Sequence, residues 1–290
     1  MTNARVFIDR QNTLGEGALW HAGRQSFFHT SILENVLFEH GPDGKGIGQW
    51  SFNGNTSAAG IVSDSELLVA TETELLLLDL ETNERSQLCP LEANNSITRS
   101  NDGRADHQGG FWIGTMGKKA EKGAGAIYRY YKGELRVLVP AMTIPNAICF
   151  SPDGTMAYWA DTEVGRMMRV SLDAEGWPAG TPSVLVDHSG EDFGIDGATV
   201  DSEGCIWNAH WGPGEIWRYS PDGEMLAKIS ASAPQTSCPA IGGQDLKTLF
   251  ITTARDGMSD DALEAAPSSG QCFTADLAVT GVPEPAVILS

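Results

Sequence analysis

FGIDGATVDSEGCIW (residues 193–207) carries two aspartates, Asp196 and Asp201, on a segment that reads as a strand running into a tight turn. Alternating apolar and small polar residues lead into DSEG, and the apolar run CIW follows. That order describes two antiparallel strands joined by a hairpin. Five other stretches share the outline: EGALWHAGR from Glu16, AGIVSDSE from Ala59, NDGRADHQG from Asn101, NAICFSPDG from Asn146 and CPAIGGQDL from Cys238. The six leading residues are spaced 42 to 50 positions apart. Each stretch feeds a strong strand-like run, such as SFFHTSI, ELLVATE, MAYWADT or LFITTAR. Repeats of about 40 to 50 residues with several short strands each have the period of propeller blades. The expected fold is therefore all-β, a six-bladed β-propeller spanning residues 1–290 as a single domain. A β-sandwich would leave the near-constant period unexplained. ARVFID near the start is expected to close the ring by pairing with the last blade, in which PAVILS lies.

The phase of the repeat separates the two aspartates. Five positions after the lead stand Asp64, Asp106 and Asp201 in three of the copies. Asp64 belongs to a copy whose lead is Ala59, a residue with no chemistry, and Gly follows closely in several copies. This position reads as a hairpin-turn residue that bonds its own backbone. Lead positions converge on the axis of a propeller, and four of the six are Glu16, Asn101, Asn146 and Asp196. Taken singly, Asn or Asp before Gly is ordinary turn chemistry. Together, four in-phase oxygen donors in a channel imply a shared ligand, because unpartnered buried polar groups are costly. Carboxylate and amide oxygens suit a hard divalent cation.

Composition bounds the remaining choices. The chain has 290 residues, 41% hydrophobic and 20% charged, with 19 Lys plus Arg against 38 Asp plus Glu. The net charge of −19 repels phosphate backbones and anionic lipid, so neither nucleic acid nor a membrane is the expected partner. Five scattered cysteines without a CxxC pair fit reduced thiols rather than a disulfide framework or a zinc site. The opening MTNARVFIDRQ has neither the basic start nor the apolar run of a signal peptide, and the expected location is cytoplasmic. No GxSxG elbow or GxGxxG loop is present, which argues against a serine hydrolase and a nicotinamide enzyme.

LGEGALW (14–20), RSNDGRAD (99–106), IPNAICFSPDG (144–154) and IDGATVDSEGCIW (195–207) resemble the senescence-marker-protein-30/gluconolactonase/regucalcin family. GTMG (114–117), WGPGEIWRYSPDG (211–223) and TTARDGM (252–258) extend the likeness over nearly the whole chain. The resemblance implies one divalent cation in the channel, held by Glu16, Asn146 and Asp196. Ca²⁺, Zn²⁺, Mn²⁺, Mg²⁺ and Fe²⁺ all remain open as its identity. It implies hydrolysis of a sugar-acid lactone, a small-molecule substrate, with Asp196 as acid/base and Arg99 and Asn101 in contact with the sugar. Glu121 fits a further substrate position, although its surroundings, AEKGAGA, depart from the family pattern; so does Ala18, where the family often has Pro.

Two other readings share the scaffold. An organophosphate or aryl-ester hydrolase would use the same cation on a P=O or ester carbonyl, and a calcium-binding propeller would use it without turnover. His210 and Trp211 are candidate substrate contacts or interblade packing. His107 reads as an exposed turn residue rather than a ligand, and Asp245 as a surface turn.

Overall fold

The computed structural model describes residues 2–290. The strands group in six sheets of successive antiparallel hairpins, to one of which Thr2–Asn3 adds a short parallel strand beside Met225–Ser230. The innermost strands are Gly15–His21, Thr56–Ile61, Thr98–Ala105, Pro145–Phe150, Gly194–Val200 and Thr236–Gly242, which open blades 1 to 6 in chain order. Each packs on the inner strand of the next blade, and the sixth packs on the first, so the ring is closed. The expected six-bladed propeller is the fold.

Apolar side chains fill the wedges between blades. Leu19, Phe28 and Leu37 of blade 1 meet Leu67, Val69 and Leu76 of blade 2 in one cluster. Across the closing seam, Phe27 stacks on Phe250 with centroids 4.7 Å apart, and Trp20 stacks on the same ring at 5.2 Å. Aromatic pairs of this kind contribute about 0.5–1.5 kcal/mol beyond the area they bury.

The two chain ends close the molecule differently from the expectation. Arg5–Ile8 does supply the outer strand of blade 6, as ARVFID predicts, but its antiparallel partner is Cys272–Asp276. PAVILS is not part of that sheet. Residues 282–290 leave blade 6 and bond instead to blades 2 and 3, with Val287 N donating to Ile61 O and Ile288 N to Gly109 O. Val287 is buried in the cluster around Phe111 and Leu68, where the wedge between those blades has room for it.

The aspartates five residues after the lead also differ from one another. Asp106 and Asp201 are buried, and each accepts from backbone amides of its hairpin through Oδ1. Their Oδ2 atoms reach further: Asp201 accepts from Trp207 Nε1 at 2.9 Å and Arg218 Nε at 2.8 Å, and Asp106 does the same with Trp112 and Arg129. They are turn residues that also pin a Trp and an Arg of their own blade. Asp64 is exposed, as are His107 and Asp245, whose carboxylate caps the amide of Lys247.

Candidate active site

Every inner strand breaks register within its first half. The break falls between Glu16 and Leu19 in blade 1, Ser100 and Gly103 in blade 3, Asn146 and Cys149 in blade 4, and Ile195 and Ala198 in blade 5. A bulge re-aims the side chain at the break, and Glu16, Asn101, Asn146 and Asp196, which stand at or within these four breaks, all face one cavity. In blades 2 and 6 the breaks lie at Thr56/Ala58 and Thr236/Pro239. Ser57 thus occupies the break of blade 2, two residues before the expected lead Ala59, while in blade 6 Ser237 precedes the expected lead Cys238 inside the break. Their hydroxyls tie neighbours together, Ser57 to Ser100 Oγ and Ser237 to Gly15 O.

Glu16, Arg99, Asn101, Asn146 and Asp196 line one cavity of about 220 Å³. Leu14, Met116, Ile144 and Trp211 supply its apolar wall, and Thr162 and Asp256 complete it. A hydrogen-bonded chain runs across three blades behind these groups. Arg99 Nη1 donates to Asn101 Oδ1 (2.8 Å), Asn101 Nδ2 to Asn146 Oδ1 (3.0 Å), Asn146 Nδ2 to Thr162 Oγ1 (2.8 Å), and Thr162 Oγ1 to Ile195 O (2.7 Å). The direction of donation fixes both amides, so Asn146 Oδ1 keeps a second lone pair for a ligand. Among the described residues Arg99 bonds only through Nη1, which leaves Nε and Nη2 available.

The two carboxylates lack such partners. Among the described residues Glu16 accepts only from its neighbour Gly17 N, at 3.2 Å, and no side chain donates to Asp196. Burial pushes Glu16 up to about 8, with the charge of Asp102 adding to the effect and Arg99 opposing it. Burial likewise holds Asp196 well above the usual carboxylate range, reinforced by Glu16 and Asp102. Two adjoining buried carboxylates and an amide oxygen, with a single guanidinium nearby, form a donor set short of positive charge. Among the described residues no three His, Cys, Asp or Glu side chains group as a metal site, since the third donor here is an amide. A hard divalent cation fits the oxygens present.

Other candidates separate. Trp211 lines the cavity, whereas His210 turns away, buried, with its ring stacked 4.1 Å from Trp217 and Nε2 against Tyr219 OH. Burial lowers His210 to about 3, so it is a neutral packing residue. Glu121 is not brought to the cavity; it sits in a loop where its carboxylate accepts from Lys119 N at 3.0 Å. Thr162, Asp256 and Asp102 escaped the sequence reading. Thr162 follows a second strand and carries no repeat signal, and Asp102 and Asp256, each before Gly, look like turn residues.

The model of the SMP-30/Gluconolactonase/LRE-like region matches residues 14–255, which include the inner strands of all six blades. The chain belongs to that family. It is 32% identical to the L-arabinolactonase of Azospirillum brasilense, over 96% of this chain and 93% of that one. It is also 32% identical to the 6-deoxy-6-sulfogluconolactonase of Pseudomonas putida, over 97% of each. Among solved structures, a calcium-binding protein, regucalcin, from Agrobacterium tumefaciens superposes with a TM-score of 0.96 at 41% identity, covering 99% of this chain and 98% of that one.

Proposed function

We propose that this enzyme hydrolyses the lactone of a sugar acid, an aldonolactone such as a glucono-, arabinono- or xylonolactone, to the free acid. Relatives matched over nearly their whole length are lactonases. The observation that carries the reading is the pair Glu16 and Asp196: buried carboxylates without side-chain donors, facing Asn146 and Arg99 in one cavity. These two and Asn146 would hold one divalent cation. When bound, such an ion polarises the lactone carbonyl and lowers the pKa of a coordinated water.

The protein groups divide the remaining work. Asp196 accepts the proton of the attacking water and returns it to the departing ring oxygen. Arg99 offers Nε and Nη2 to sugar hydroxyls, and Asn101 keeps one lone pair for a hydroxyl proton while bridging Arg99 to Asn146. Leu14, Ile144, Met116 and Trp211 face the C–H surface of the ring and exclude bulk water. Positioning of this sort is a large part of the barrier reduction.

The test is a panel of pentono- and hexonolactones followed with a pH indicator, with and without chelator. Turnover of sugar lactones that stops on chelation and returns with added cation is expected, and Asp196→Asn should lower kcat by about 100-fold or more. Turnover confined to phosphotriesters or aryl esters would overturn the substrate assignment. Cation binding without any turnover would overturn catalysis itself.

A further inference from the structure

We infer that Asp102 is a positioning residue for Asn146: it holds open the bulge in the inner strand of blade 4 that presents the amide to the cavity. The inference rests on the reading of Asn146 as a cation ligand.

Asn146 lies at the register break of its strand, and the residue after it, Ala147, adopts φ +56°, a left-handed conformation that a side chain disfavours. Such a conformation is strained for a residue with a side chain and persists only where its surroundings fix it. Ala147 is fully buried, and a bulge leaves amides without a ladder partner. Asp102 meets that need from the neighbouring blade, as its Oδ2 accepts from Ile148 N at 2.7 Å. On the other side of the bulge, Asn101 Nδ2 donates to Pro145 O at 3.0 Å. Consecutive residues of blade 3 thus grip the backbone on both sides of Asn146 and Ala147. Asp102 is itself buried and, among the described residues, accepts from no side chain, so the amide of Ile148 is the contact through which it acts. It does not line the cavity and is not a catalytic residue. Losing an outer group of this kind weakens metal sites by about 10- to 100-fold.

Asp102→Ala and Asp102→Asn separate hydrogen bonding from charge, because asparagine keeps an acceptor oxygen and loses the charge. The readouts are calorimetric cation affinity, hydrogen exchange of the peptide spanning residues 145–150, and kcat and KM at rising cation concentration. For Asp102→Ala we expect a cation Kd raised about tenfold or more, faster exchange confined to that peptide, and kcat partly recovered by excess cation. Asp102→Asn should stay within a few-fold of the unmodified protein in all three. Equal impairment of both variants would overturn the inference in favour of a charge effect, and an unaltered Asp102→Ala would overturn it outright. If Asp102→Ala does not fold, Asp102→Ser, whose side chain is one atom shorter than the carboxylate, takes its place with the same expected and overturning results, and Asp102→Asn remains the control for charge. Failure of the unmodified protein to bind any cation would count against the proposed function instead.

Discussion

Asp196 and Asp201 differ by five positions in sequence and by their whole environment in the fold. Their separation was legible because a lone alanine at position 59 shares the later aspartate without the earlier donor. What composition could not reveal is that Asp201 is buried and bonded by Trp207 and Arg218. Asp201→Ala removes four acceptor contacts at once, and breaking a buried pair costs about 3–5 kcal/mol. A loss near the lower end is expected because Arg218 is partly exposed, with cation affinity unchanged in the folded fraction; urea denaturation and calorimetry check both. Glu16 behaves in the opposite way. Its folded value of about 8 exceeds the ordinary 4.5, so without cation the fold binds more protons than the unfolded chain between those values. Its contribution to stability is present at low pH and is lost as pH rises through about 8. Asp196 pushes in the same direction. A bound cation requires ionised carboxylates, so its stabilisation grows with pH. The gap in melting temperature between cation-loaded and chelated protein should therefore widen from about pH 5 to about pH 8. A gap that narrows would contradict the assignment of these carboxylates.

At the scale of the strand, the repeat was readable to within one or two residues, and the bulge accounts for the error. An inserted residue shifts the phase at the point where the functional side chain sits. In blade 2 the phase points to Ala59, whereas Ser57 stands at the break, and in blade 6 it points to Cys238, one residue beyond Ser237 within the break. Thr162, which fixes the amide of Asn146, belongs to no inner strand, so no phasing of inner strands finds it. The bulge of blade 1 shows how closely the elements are fitted. Gly17 follows Glu16 with φ +58°, and a Cβ there would lie 2.5 Å from Ser57 O of blade 2. Gly17→Ala combines about 1–2 kcal/mol of left-handed strain with that contact. Blade 1 must move away from blade 2, taking Glu16 with it. Expected together are a stability loss of about 2 kcal/mol or more and a weaker cation affinity. Normal affinity in the destabilised variant would show that Glu16 is not held by this turn.

For the whole molecule, the ring was legible from period alone, and its closure only in part. The N-terminal strand, Arg5–Ile8, pairs in blade 6 as its apolar run suggests. The tail carries a strand-like run but spends it as a strap across blades 2 and 3, because blade 6 is already completed by Arg5–Ile8. Inside that strap, Glu284 pairs with Arg104 of blade 3, and both side chains are nearly inaccessible. Arg104 Nη2 also reaches Pro239 O of blade 6, while its Nε finds no partner. A buried guanidinium with an incomplete set of acceptors depends heavily on Glu284, the carboxylate that pairs with it directly, with the charge of Asp102 a weaker influence. Glu284→Gln should therefore cost about 3–5 kcal/mol, since the charge of Arg104 stays buried and unpaired. Replacing both partners with apolar residues, Arg104→Met with Glu284→Leu, removes the charge as well as the pair. Such exchanges are often neutral or stabilising by about 1–4 kcal/mol, so the double variant should unfold at a higher urea midpoint than Glu284→Gln alone. Deleting residues 282–290 leaves Arg104 unpaired and also withdraws Val287 from its cluster, so it should be the least stable of the three. If the single and double variants unfold together, the ion pair is not what fastens the strap, and Val287 with its backbone bonds must carry that role.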